Sequence, residues 1–286
     1  MPRRRLTAEI SMHESVIALA VAWAAACSAF AGEKVAPGQE GHLDVPGCKF
    51  PCVIYIPTDY QPGSHLPAIF YLHPKACKPS TAPFRQAVEG KGYIVVGLSY
   101  GTHPTGAAGE DDFVVDQENP LPEFLAMIKF IERVRKIVDD TYGIDQRRVF
   151  LAGYSMGGWA VDYYGFNRQA RGRYRGYCMI AAGPIKGPGV DFSVAKGLPV
   201  LVVNGEKDRD LEQAYSGKPF LERAAAIVTQ VVVPGEGHDI SEAKLCPVLR
   251  EWLNGIADAD RRADEAAGKG GGDGETGRQE EGMMGR

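Results

Sequence analysis

Ser155 stands in the run Gly153-Tyr154-Ser155-Met156-Gly157-Gly158. A serine hydroxyl is a poor nucleophile at neutral pH and attacks a carbonyl only when a base takes its proton. His238 is the candidate base, framed by Gly235 and Gly237 just past an apolar run. An imidazole with an ordinary pKa of about 6.5 can accept that proton and later return it to a leaving group. Asp208, at the end of Gly205-Glu206-Lys207-Asp208, is the candidate carboxylate. Such a group fixes the imidazole tautomer and stabilises the imidazolium as it forms. Asp210 is its close competitor and Glu206 a more distant one. The chemistry these three types support is acyl transfer through a covalent intermediate.

Gly and Ser are common, so a G-x-S-x-G run gains meaning from what flanks it. Here an apolar run, Val149 to Ala152, reads as a buried strand, and a helical stretch through Trp159 and Tyr163 follows. Strand, turn and helix are the context a nucleophile elbow needs. Gly153 and Gly157 remove Cβ atoms that would collide across so tight a turn, and Gly158 lets the helix approach the strand.

The other elements alternate in kind. Strands are expected over His42–Val45, Phe50–Ile56, Ala68–Leu72, Tyr93–Leu98, Tyr177–Ala182, Pro199–Asn204 and Val228–Val233. Several are short unbroken apolar runs, the pattern of strands covered on both faces. Helices are expected over Phe84–Lys91, Leu121–Val138, Leu211–Ala226 and Ala243–Ile256, with Gly217 and Pro219 as a break in the third. Leu121, Phe124, Leu125, Ile128, Ile131, Val134, Ile137 and Val138 recur in steps of three and four along one helix face. Residues 101–118 read as a polar loop with Glu110, Asp111, Asp112 and Asp116. This alternation predicts an α/β fold, a mostly parallel sheet with helices on both faces. Sites in such sheets form at the carboxyl ends of the strands. Ser155 follows the fifth strand, Asp208 the seventh and His238 the eighth.

The chain order Ser155, Asp208, His238 and the elbow around Ser155 resemble the α/β-hydrolase family over residues 42–256. The Gly-x-x-Asp ending at Asp208 is similar to that family's acid turn. The resemblance implies the α/β-hydrolase fold and assigns Ser155 as nucleophile, His238 as base and acid, and Asp208 as orienter. It also implies two backbone donors for an oxyanion. One is the Met156 N–H, directly after the nucleophile. The other comes from the loop after the third strand, which often starts His-Gly in the family. Here it reads His73-Pro74-Lys75-Ala76. Proline has no N–H, so Lys75 is the first choice and Ala76 the second. His73 itself is expected to be structural.

Within the family the chain most resembles the exported, lid-poor feruloyl-esterase and polyhydroxybutyrate-depolymerase types. That implies an exported serine hydrolase cleaving carboxylic esters through an acyl-enzyme, on cell-wall carbohydrate or polyester substrates. The connection after the sixth strand is short, with no room for a large lid. A peptidase of the prolyl-oligopeptidase type is one rival, although the chain has no room for that family's propeller domain. A non-enzymatic binding module on the same fold is the other.

The chain has 286 residues, enough for one large α/β domain. Its formal net charge is −4, and no basic stripe interleaves with aromatics, which argues against a nucleic-acid partner. Arg3, Arg4 and Arg5, the apolar run Val16–Ala26 and Ala29-Phe30-Ala31 have the pattern of a cleaved signal peptide over residues 1–31. The apolar run is shorter than the roughly 20 residues of a membrane span. The expected location is therefore secreted or periplasmic, with no stable span after cleavage. Export permits disulfides, and Cys48, Cys52 and Cys77 are candidates for a bridge, with Cys178 and Cys246 further along. The histidines are scattered and no cysteine spacing suggests zinc, so neither metal nor cofactor is expected. The hydrolase domain is expected over residues 32–257 and a disordered tail, rich in Ala, Asp, Glu, Arg and Gly, over 258–286.

Overall fold

In the computed structural model, which describes residues 34–46, 48, 50–100 and 121–269, the apolar runs assemble into one eight-stranded sheet. The strands are β1 (Glu40–Leu43), β2 (Cys52–Tyr55), β3 (Leu66–Leu72), β4 (Ile94–Leu98), β5 (Ile144–Tyr154), β6 (Gly176–Ile180), β7 (Pro199–Gly205) and β8 (Ile227–Val233). The helices are α1 (Phe84–Ala87), α2 (Leu121–Tyr142), α3 (Met156–Gly165), α4 (Leu211–Arg223) and α5 (Glu242–Lys269). The strand order is β1-β2-β4-β3-β5-β6-β7-β8. β1, β2 and β4 pair antiparallel, and every pair from β4 to β8 is parallel. This is the mostly parallel, doubly covered sheet of the α/β-hydrolase fold.

Alternate residues of the central strands feed two cores. Phe70, Leu72, Val96 and Leu151 pack with Ile131, Val134 and Val138 of α2 and Val161 and Tyr164 of α3. Ile69, Tyr71, Val95 and Phe150 face the other way, against Phe84 of α1 and Leu245, Leu249, Trp252 and Leu253 of α5. Each fully buried large apolar side chain contributes about 1.5–3 kcal/mol of transfer free energy. The two cores hold β5 rigidly at the middle of the sheet, where Ser155 leaves it.

Several elements differ from the sequence expectation, and three of the differences have a clear physical reason. β5 begins at Ile144, five residues before the apolar run. Its early part is polar, and its pairing with β3 shifts register between Leu66 and Ala68, so Asp145–Arg148 escape the core's apolar requirement. α4 continues through Gly217 and Pro219 instead of breaking there. A Cβ on Gly217 would come within 1.7 Å of the Pro184 carbonyl oxygen, so that glycine serves close packing, not termination. α5 runs on to Lys269, past the helix end expected at Ile256. Its Ala, Glu and Arg content favours helix even where no core is buried. Arg175 also holds Asp260 at 2.7 Å.

The expected signal segment 1–31, the loop 101–118 and residues 270–286 of the expected tail lie outside the described residues. Among the described residues no helix is long and apolar enough to cross a membrane. Cys52 is buried beside Ser99, whose backbone N–H donates to its Sγ at 3.5 Å.

Candidate active site

The elbow is built by close contacts that only glycine permits. A Cβ on Gly153 would sit 2.0 Å from the Gly157 carbonyl oxygen, so the chain folds back on itself across Ser155. A Cβ on Gly157 would meet the Leu72 oxygen at 2.2 Å, and one on Gly158 would meet the Ala182 methyl at 2.6 Å. The start of α3 is thereby pressed between the ends of β3 and β6. Ser155 pays with its backbone, held at φ 51° and ψ −116°. Such a conformation costs a non-glycine residue about 1–3 kcal/mol and persists only when its surroundings impose it. The Ser155 N–H donates to the Ile180 carbonyl at 2.7 Å, and its own carbonyl accepts the Trp159 N–H at 2.9 Å.

The structure brings Ser155, His238 and Asp208 into one chain of hydrogen bonds. Ser155 Oγ lies 2.7 Å from His238 Nε2. His238 Nδ1 lies 2.9 Å from Asp208 Oδ1. The Asp208 side chain is fully buried, while His238 keeps 24% of its side chain exposed. The histidine end of the chain is therefore open to solvent, and the aspartate end is closed to it. Asp208 Oδ1 also accepts the Asp210 N–H at 2.9 Å, and Oδ2 is buried with no donor among the described residues. The imidazole is thus the acid's main side-chain partner.

The two loops that carry the acid and the histidine clasp each other at the ends of β7 and β8. Gly205 admits the crossing, since a Cβ there would lie 2.1 Å from the Gly237 oxygen. The Lys207 N–H donates to the Glu236 carbonyl at 2.7 Å, and the Gly235 N–H donates to Glu206 at 2.9 Å. Glu206, a distant competitor for the acid in sequence, therefore tethers the histidine loop. Glu236 accepts from the Ser241 N–H at 3.0 Å and from Lys244 at 2.9 Å. Those partners hold its carboxyl below the usual glutamate range.

Sequence reasoning missed Tyr154, which joins the elbow to the histidine loop. Its hydroxyl donates to the His238 carbonyl at 2.9 Å and accepts the Ile240 N–H at 2.7 Å. Burial, aided by the charges of Asp239, Asp208 and Glu236, raises its phenol above the ordinary value. The hydroxyl therefore stays protonated and able to donate. No local pattern signals this role, because its partners lie more than 80 residues away. Tyr154→Phe leaves both backbone groups without that partner, a loss of about 1–3 kcal/mol. The expected result is a lower melting temperature and a roughly tenfold fall in kcat with KM unchanged. Steady-state kinetics and a thermal melt on the same preparation check it, and an unchanged kcat would remove Tyr154 from the site.

The expected oxyanion donors lie around the same elbow. Met156 is the first residue of α3, where the N–H has no carbonyl a turn earlier to bond. The loop after β3 makes a tight turn in which Cys77 N–H donates to the Pro74 carbonyl at 3.3 Å. Lys75 and Ala76 are its central residues, and Ala76 takes φ 58°. The contact of Gly157 with Leu72 and His73 sets this loop beside the start of α3. His73 is buried, with Nδ1 2.8 Å from the Pro74 oxygen and its own carbonyl accepting the Tyr100 hydroxyl at 2.5 Å. That is a supporting position under the loop.

Asp208, Asp210 and His238 also place three possible ligand atoms within 4.8 Å of one another. Both imidazole nitrogens there already face Ser155 and Asp208, which suits proton transfer.

Residues 44–171 match the family model of putative esterases, a segment that includes the elbow but neither Asp208 nor His238. No curated protein matches the chain in sequence. In structure it is similar to a carboxylesterase from Bacillus cereus, 17% identical, with 72% of this chain and 93% of that one covered at a TM-score of 0.56. It is similar to a carboxylesterase from Mesorhizobium loti, 18% identical, with 75% and 99% covered at a TM-score of 0.56. Est1E from Butyrivibrio proteoclasticus is 12% identical, with 77% and 99% covered at a TM-score of 0.53. At these identities the three structures bear on the fold, and the family match bears on the elbow half of the sheet.

Proposed function

Because this chain has the α/β-hydrolase fold and matches a putative-esterase family model over residues 44–171, we propose that it hydrolyses carboxylic esters through an acyl-enzyme on Ser155. The observation that carries this reading is the unbroken path from Ser155 Oγ to His238 Nε2 at 2.7 Å and from Nδ1 to Asp208 at 2.9 Å. As Oγ attacks the ester carbonyl, its proton passes to Nε2. Asp208 holds the Nδ1–H tautomer that leaves Nε2 open, and its charge faces the imidazolium that results. The tetrahedral oxyanion is met by the Met156 N–H and by a second N–H from Lys75 or Ala76. Collapse breaks the ester C–O bond, and Nε2 gives its proton to the departing alcohol. Water then repeats the sequence on the acyl-enzyme and releases the acid.

The substrate reading extends to bulky esters on cell-wall carbohydrate or polyester chains, met outside the cell after removal of residues 1–31. The connection from β6 to β7, residues 181–198, carries only one short 3-10 turn, Phe192–Ala195, and no lid. A cleft without a cover there favours large or polymeric esters over lipid droplets. The test is a set of p-nitrophenyl esters of increasing acyl length and a feruloyl ester, run beside peptide amides with purified mature protein. Ester turnover with a burst of p-nitrophenol and negligible amide cleavage is expected. Amide cleavage at comparable rates would favour a peptidase, and no turnover of either class would favour a binding module.

A further inference from the structure

We infer that Asp210 is a second positioning carboxylate for His238, acting by charge on the same Nδ1 edge that Asp208 holds by a hydrogen bond. The inference rests on the serine-hydrolase reading above. Asp210 Oδ2 lies 3.6 Å from His238 Nδ1, too long for a hydrogen bond but close for a charge. The residue occupies the N-cap of α4, where an aspartate ordinarily accepts an N–H of the first turn. Its side chain makes no such bond. It is held instead by its backbone, whose N–H donates to Asp208 Oδ1 at 2.9 Å. The Asp210 backbone is thereby tied to the Asp208 carboxylate, and the Asp210 side chain lies toward the imidazole. Arg209 is its other charged neighbour, at 3.8 Å, with 81% of that side chain in solvent.

The consequence appears when the imidazole is protonated. The positive charge formed by transfer of the Ser155 proton is shared between two acids, one buried and one with 26% of its side chain exposed. In Asp208→Asn the amide can donate to Nδ1 and impose the wrong tautomer. Asp210 then remains as the only charge favouring a proton on Nδ1, among the groups the structure places on that edge. The residual activity of Asp208→Asn should therefore depend on Asp210.

A double-mutant cycle tests this, with kcat and KM measured for a soluble p-nitrophenyl ester in wild type, Asp208→Asn, Asp210→Asn and the double variant. Asp210→Asn alone should lose about threefold in kcat at unchanged KM. In the Asp208→Asn background the same change should remove about a further tenfold, equivalent to about 1.4 kcal/mol. That further loss should shrink as ionic strength rises from about 0.01 M to about 1 M, where the screening length falls from about 30 Å to about 3 Å. A purely structural cap would show no such salt dependence. Asp210→Ser separates the two roles, because serine caps a helix well but carries no charge. It should keep the melting temperature and still lose the kcat that Asp210→Asn loses. Labelling by a serine-directed phosphonate at Ser155 in all four proteins keeps the failure of the parent reading distinct. If wild type is not labelled there, both readings go. If it is labelled and the double variant equals Asp208→Asn, or Asp210→Ser retains full kcat, Asp210 is a helix residue only.

Discussion

Ser155→Ala should lower kcat about 10⁶-fold, the scale set by removing the nucleophile from a serine protease with the same three groups. The loss is confined to chemistry because the hydroxyl's hydrogen bond in the structure is to His238 Nε2, and it fills no part of either core. Alanine meets the same backbone penalty as serine at φ 51°, so folding should be unchanged. Ser155→Gly should be equally inactive but more stable, since glycine tolerates that conformation. A serine-directed phosphonate should label wild type at this residue alone. Retained turnover in the alanine variant, or labelling at another serine, would remove Ser155 from the centre of the reaction.

Asp208→Asn should lower turnover at saturating ester by roughly 10⁴-fold, the loss seen for the corresponding change in a serine protease. The size follows from two effects that act together. The charge that faces the imidazolium is lost from a fully buried position 2.9 Å away, where water cannot replace it. The amide can also donate to Nδ1 and leave Nε2 protonated, unable to take the serine proton. Folding should survive, because asparagine has nearly the same shape and backbone groups of the two loops still tie them, with the Lys207 N–H on the Glu236 carbonyl and the Gly235 N–H on Glu206. Substrate affinity should be nearly unchanged, since the side chain is closed off from the cleft. Asp210→Asn run beside it should be far milder. If Asp210→Asn is instead the crippled variant, the hydrogen-bonding acid has been misassigned by two residues.

What the sequence determined by itself is what short-range physics can carry. The apolar run before Ser155, its glycines and the helical stretch after it specify an elbow, because the turn closes locally, with Gly153 against Gly157 four residues on. Alternation of apolar runs with helical faces specifies a parallel, doubly covered sheet, and hence a site at the carboxyl ends of its strands. Asp208 and His238 were legible as candidates because each directly follows a strand. What the tertiary structure decided lies across long separations. That Asp208 makes the hydrogen bond while Asp210 stands 3.6 Å from the same nitrogen depends on how α4 starts beside the β8 loop. Tyr154 became a clamp only when β5 met the loop that carries His238, 84 residues later in the chain. Gly217 reads as a helix breaker until the carbonyl of Pro184 is seen against it. The polar start of β5 and the far end of α5 escaped for the opposite reason. Asp145–Arg148 bury no apolar side chain and follow no apolar period, and α5 past Ile256 relies on helix propensity and on the ion pairs Arg175–Asp260 and Arg261–Asp258. Hydrophobic pattern reveals elements that must be buried, whereas contacts between distant loops exist only once the sheet has brought them together.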